Sequence, residues 1–382
     1  MGTERARVRQ RRLRVAAAAV AAFAIGAAIG ARGGEEPASA PAPRAPEPSA
    51  AATPPPEAVD RLSLAQQVGR MVILRFAGTE VPGYVREALR RRRVAGVILF
   101  ADNVTGEAQV QALTAALREA SGDLEPLVCV DQEGGEVRIL PWAPPERSAP
   151  EQQASGTVRE DAADAGRALA AAGVNVTLAP VADLPSVDGS ALAGRAFTSD
   201  PDAATAAVAE SIAGWQEAGV ATTVKHFPGL GGATVNTDDG PSTIERTRDQ
   251  LDDDLAPFVW AVEAGTQFVM ASHATYPALD ETRIASQSPA VIEELLRDEL
   301  GYDGVVMTDS LEAAAVQAVA DVEEAAVASA QAGVDLILTT GRGSYSRVFH
   351  ALLARAREDP AFRDRVRASA ARVLAAQSSL DG

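Results

Sequence analysis

Short apolar runs recur along the chain at nearly regular intervals, and each is followed by a polar or amphipathic stretch. The runs are Met71-Val72-Ile73-Leu74, Gly96-Val97-Ile98-Leu99-Phe100, Leu127-Val128-Cys129-Val130 and Val174-Asn175-Val176-Thr177-Leu178. Ala221-Thr222-Thr223-Val224, Phe268-Val269-Met270, Gly304-Val305-Val306-Met307 and Val334-Asp335-Leu336-Ile337-Leu338 complete the set. Runs this short and this continuous predict strands buried on both faces. The segments between them are Ala-rich with helical spacing, as in Asp161 to Ala172 and Pro289 to Glu299. Strand and helix in alternation predict a parallel sheet. An open doubly wound sheet carries the same local signal. Eight such units in roughly 320 residues favour a closed (β/α)8 barrel of the TIM type as a single catalytic domain over 59–382.

The pattern is different before residue 59. Arg5, Arg7, Arg9, Arg11, Arg12 and Arg14 precede an uncharged run from Val15 to Ala31. A basic start followed by an apolar segment is the layout of a secretion signal or a signal anchor. Residues 1–32 are therefore read as an exported leader, either retained as a membrane anchor or cleaved near Ala31. Residues 33–58 are rich in Pro and Ala, which predicts an extended spacer without a core. Together these features place the folded part outside the cytoplasm, with the membrane as a partner through the N-terminal segment.

Composition narrows the chemistry. A net charge of -17 argues against nucleic acid as a partner, because phosphate contacts need clustered Lys and Arg. The single cysteine, Cys129, lies inside an apolar run and reads as a core thiol. With one Cys and only His226, His273 and His350, no metal site is implied. No organic cofactor is implied either. Gly229-Leu230-Gly231-Gly232 lacks the Lys-Ser/Thr ending of a phosphate-binding loop.

Polar residues gather just after the apolar runs: Asp131, Asp183, Lys225-His226, Ser272-His273 and Thr308-Asp309. In a barrel all of these converge on the C-terminal rim, where such enzymes carry their chemistry. Several of the clusters lie in longer motifs. Lys225-His226-Phe227-Pro228-Gly229-Leu230-Gly231 resembles the K-H-F-P-G-x-G signature of family 3 glycoside hydrolases. Asp131-Gln132-Glu133-Gly134-Gly135 resembles that family's D-Q-E-G-G segment, and Val305 to Leu311 its nucleophile strand. Leu178 to Asp183 and Gly194-Arg195-Ala196-Phe197 are further matches. The resemblance runs from about Leu62 to Leu338 in the family's order, and is nearest to the single-domain β-N-acetylhexosaminidases.

The resemblance implies a retaining exo-glycosidase that removes terminal β-linked N-acetylglucosamine from a saccharide, with cell-wall or exported glycans as the expected source. Asp309 would be the nucleophile, and Asp131, Arg195, Lys225 and His226 would bind the sugar. Two positions depart from the subgroup. Its acid/base loop carries Asp-Ser-His, where this chain has Asn236-Thr237-Asp238. Asp238 is then the candidate acid/base, with Asp239 next, while Asn-Thr-Asp-Asp-Gly is also ordinary turn chemistry. The subgroup also places an Arg eight residues after the motif's Asp. Here that position is Ile139, with Arg138 one residue earlier as a candidate sugar ligand. These departures leave two alternatives open: a non-catalytic sugar-binding protein on the same scaffold, and a β-glucosidase-like exo-hydrolase.

Overall fold

Every one of the eight apolar runs forms a strand in the computed structural model, which describes residues 56–380. The barrel strands are β1 (Val72–Arg75), β2 (Gly96–Ile98), β3 (Leu127–Val130), β4 (Val176–Thr177), β5 (Ala221–Phe227), β6 (Phe268–Ala271), β7 (Val305–Thr308) and β8 (Ile337–Thr339). All pair in parallel, each with its neighbours in chain order. β8 returns to pair with β1, with Val72 opposite Ile337. The last gap, between β7 and β8, is bridged at Met307 and Leu336, and the Thr308 N–H donates to the Leu336 carbonyl at 3.0 Å. The sheet is a closed barrel. β4 is shorter than its apolar run because Pro180, which has no N–H to donate, follows almost at once.

Alternation along the strands divides the core. Ile73, Ile98, Cys129, Met270, Met307 and Leu338 belong to the interior cluster, while Val72, Val97, Val128, Val224, Val269 and Val306 pack into the larger cluster beneath the helices. Burial pushes the Cys129 thiol well above its ordinary value, so it remains an inert packing group. Between successive strands run helices such as Val158–Ala171 and Pro201–Glu217. These two approach so closely that a side-chain carbon at Gly214 would stand 2.4 Å from the Arg159 carbonyl, so only glycine fits.

The floor of the barrel is closed by the C-terminal helix Pro360–Ser378. Val373 and Ala376 enter the interior cluster, and the Gln377 side-chain amide donates to the carbonyls of Ala95 (3.1 Å) and Glu125 (2.7 Å). The first described helix, Pro56–Asp60, begins three residues before the predicted domain start, and its Val59 packs on Ala370 and Leu374 beside Leu62. Among the described residues the floor is thus plugged, and the opposite end, where the strand C-termini lie, carries the polar residues that follow the strands. The N-terminal leader (1–32) and all but the last residues of the spacer (33–58) lie outside the described residues. Among the described residues, no helix is long and apolar enough to cross a membrane.

Candidate active site

At the open end two cations and two carboxylates interlock. Asp131 stands one residue past β3, and Glu133 follows on a short hairpin that pairs Gln132–Gly134 with Val137–Arg138. Lys225, on β5 and only 2% exposed, reaches both: its Nζ lies 2.7 Å from Asp131 Oδ1 and 2.6 Å from Glu133 Oε1. Arg195, on the long loop after β4, grips Glu133 with two parallel bonds, Nε to Oε2 at 2.9 Å and Nη2 to Oε1 at 2.7 Å. Burial alone would push the Glu133 carboxyl up, but Lys225 and Arg195 outweigh it and hold it down to about 2. Burial likewise works against the Lys225 ammonium, and Asp131 and Glu133 more than restore its charge. A buried ion needs such partners to be tolerated at all.

The next residue on β5 belongs to a second unit. The β5–β6 pairing slips between Lys225 and Phe227, and such a slip re-aims side chains that would otherwise alternate strictly. Asp183, buried after β4, lies 2.6 Å from His226 Nδ1 and accepts the main-chain N–H groups of His226 (3.1 Å) and Leu230 (2.6 Å). Because Asp183 accepts, Nδ1 carries the proton, and Nε2 is turned to Asp309 Oδ2 at 3.8 Å. The motif's last glycine has a steric cause: a side-chain carbon at Gly231 would stand 1.7 Å from the Leu184 carbonyl.

Asp309 sits one residue beyond β7 at the mouth, its side chain 21% exposed. Its Oδ1 accepts the Ser310 N–H at 2.7 Å. Burial opposes its charge, but His226 foremost, with His273, Lys225 and the Ser310 amide, pulls its carboxyl below the usual range. Asp238 lies on the tight turn predicted after β5. The Asn236 side chain accepts the Asp238 N–H at 3.2 Å, and the Asn236 carbonyl accepts those of Asp239 (2.9 Å) and Gly240 (3.1 Å). This turn is tied to the loop after β7, because Ala314 and Ala315 donate to the carbonyls of Asp238 (3.1 Å) and Thr237 (3.0 Å). The Asp238 side chain keeps solvent access. Partial burial and then the neighbouring Asp309 charge raise its carboxyl, against His226 and Arg195. The two rim carboxylates are therefore driven apart in acidity.

Of the residues singled out from sequence, Asp131, Arg195, Lys225, His226, Asp238 and Asp309 come together. Arg138 does not join them: it lies on the hairpin beside Ile139, and its nearest carboxylate is Glu146, at 4.0 Å. One position along an extended strand turns a side chain to the other face, so an Arg moved from 139 to 138 loses the site. Three further participants carry no role that the sequence alone assigns. Glu133 stood in the D-Q-E-G-G motif, and Asp183 and His273 stood after strands; the signal was there, but which carboxylate meets which cation is a matter of tertiary geometry. Among the described residues, no group of three or more His, Cys, Asp or Glu side chains is placed to hold a metal ion.

The family model for the glycosyl hydrolase family 3 N-terminal domain matches residues 63–376, most of the chain. The chain belongs to glycosyl hydrolase family 3. Among curated family members, a β-hexosaminidase of Stenotrophomonas maltophilia (strain R551-3) is 34% identical over 296 residues, 75% of this chain and 88% of the relative. Among solved structures, a β-N-acetylhexosaminidase of Beutenbergia cavernae DSM 12333 is 35% identical with a TM-score of 0.76, covering 83% of this chain and 99% of that one. A family 3 β-N-acetylglucosaminidase of Paenibacillus sp. str. FPU-7 is 34% identical with a TM-score of 0.78; the match covers 84% of this chain and 64% of that longer one.

One feature of this family 3 site gives an immediate test. Lys225 is the only lysine in a chain whose lysines and arginines total 35. An ammonium is a compact donor of three bonds, and two of them go to Asp131 and Glu133. A guanidinium is planar and larger. Lys225→Arg is expected to lose about 100-fold or more in kcat/KM despite keeping the charge, because overpacking a buried site shifts its partners. Steady-state kinetics checks this, with thermal unfolding as the control for folding.

Proposed function

We propose that the chain is a retaining exo-acting β-N-acetylhexosaminidase, with Asp309 as nucleophile and Asp238 as acid/base. The observation that carries this reading is the pair of carboxylates on adjoining rim loops with opposite shifts, Asp309 lowered and Asp238 raised. Pairs of acids whose surroundings push them apart divide the labour of acid/base chemistry. In the first step an Asp309 oxygen bonds to the sugar's C1 while the C1–O bond to the leaving group breaks, and Asp238 gives its proton to the departing oxygen. In the second, Asp238 takes a proton from water as the water oxygen bonds to C1 and the Asp309 ester breaks. Asp131 and Lys225, with Arg195 steadying both through Glu133, would hold the sugar hydroxyls.

N-acetylglucosamine as the sugar is supported by the names of the relatives. The Arg-rich start and the Pro/Ala-rich spacer support export and action on glycans outside the cytoplasm, with the leader as anchor or cleaved signal. The test is to offer an aryl N-acetyl-β-glucosaminide and an aryl β-glucoside to the folded protein. Turnover of the first, well above the second, is expected. Preference for the glucoside would shift the sugar. Binding without turnover of either would leave a sugar-binding protein and end the enzyme reading.

A further inference from the structure

Beyond the pair of carboxylates, the residue after the nucleophile has all its polar atoms engaged. The Ser310 N–H donates to Asp309 Oδ1 at 2.7 Å. Its carbonyl lies 3.1 Å from His273 Nε2, and since a carbonyl only accepts, Nε2 carries a proton; Nδ1 lies 2.8 Å from the Ser286 hydroxyl. The Ser310 hydroxyl lies 2.6 Å from Thr340 Oγ1, one residue past β8, and 3.3 Å from Glu312 Oε2. The Glu312 N–H donates back to that hydroxyl at 3.3 Å. Glu312 Oε2 in turn accepts the Thr340 N–H at 2.7 Å and its hydroxyl at 3.0 Å. The contacts close a ring of Ser310, Thr340 and Glu312 between the loops after β7 and β8.

Glu312 is a costly residue for mere packing. Its Oε1 is buried with no hydrogen-bond partner, and a side-chain carbon at Gly341 would stand 2.6 Å from that atom, so the neighbouring loop leaves room for the carboxylate. A half-satisfied buried carboxylate is usually less stable than an apolar replacement. We propose that Glu312, acting through Ser310 with His273 on the opposite side, is a positioning residue for Asp309. The clamp fixes the carboxylate by its Oδ1 and leaves Oδ2, on the side of His226, as the oxygen that attacks C1. The inference rests on the glycosidase reading.

The test compares wild type with Glu312→Gln, Ser310→Ala and the double variant. Glu312→Gln is expected to lower kcat about 10- to 100-fold, the scale of a small misplacement of a reacting group. KM should stay within about twofold. The rate of covalent trapping by an activated fluorosugar, which reads the attack of Asp309 alone, should fall by the same factor as kcat. The double variant should lose little more than the worse single one, because both cut one chain of contacts. Unchanged kcat and trapping in a folded Glu312→Gln would overturn the proposal. So would a rise in KM with normal trapping, which would make Glu312 a sugar ligand, or fully additive losses. Should Glu312→Gln not fold, Thr340→Val breaks the same ring and is judged by the same outcomes. A wild type that neither turns over nor is trapped brings down the glycosidase reading, and this inference with it, and is seen before any variant is made.

Discussion

Asp309→Ala is expected to lower kcat on an aryl N-acetyl-β-glucosaminide by about 10⁴-fold or more while the protein stays folded. The carboxylate ends a short strand at the rim, is bonded on one oxygen to its neighbour's amide, and is kept ionised by the groups around it. Apart from Asp238, to which the proton transfer is assigned, the other carboxylates gathered around Asp309 among the described residues are held by partners. Asp131 and Glu133 are tied to Lys225, and Asp183 is tied to His226 and Leu230. Azide offered to the variant should enter the vacated space and attack C1 from the nucleophile's side, giving the α-glycosyl azide. Residual activity within tenfold of wild type would remove Asp309 from the chemistry.

The second large effect is at Asp238, and its signature lies in the leaving group. Asp238→Ala should lower kcat about 10²- to 10⁴-fold on substrates whose departing oxygen needs a proton. On an activated aryl glycoside, which needs none, the first step should be nearly spared, and azide should accelerate the second and yield the β-glycosyl azide. The pH profile gives an independent reading. In the proposed mechanism turnover needs Asp309 ionised and Asp238 protonated. Asp309 is lowered, so its limb falls away only below the ordinary carboxylate range; Asp238 is raised, so its limb falls away above that range. Asp238→Ala should erase the alkaline limb and leave the acid one. If the alkaline limb survives in Asp238→Ala and moves in Asp239→Ala, the neighbouring turn residue holds the role instead.

Much of this was visible in the chain before any coordinates. Eight apolar runs became eight strands in order, because strands buried on both faces need continuous hydrophobic residues and little else competes for such segments. Pro289 to Glu299 was legible as helix but not in its winding: Ala290–Glu299 is a π-helix, a form too rare for an Ala-rich apolar pattern to point to it. The rim residues were legible because strand ends project to one face of a barrel. What the sequence could not show is partnership. Glu133 sits two residues from Asp131, yet it is Glu133 that joins Lys225 to Arg195, 62 residues away along the chain. Arg138 shows the reverse case, since a one-residue offset carries a side chain to the other face of its strand.

The barrel's closure between β7 and β8 has a consequence for Asp309. Elsewhere neighbouring strands pair over two or more residues; here Met307 and Leu336 form a single bridge, and the Thr308 hydroxyl accepts the Leu338 N–H at 3.0 Å where a backbone carbonyl would otherwise stand. The stave carrying Asp309 is thus hooped on one side partly by side chains, since Asp335 Oδ2 also accepts the Val306 N–H at 3.0 Å. Removing the Thr308 hydroxyl or the Asp335 carboxylate should therefore ease that seam apart while the other joins hold.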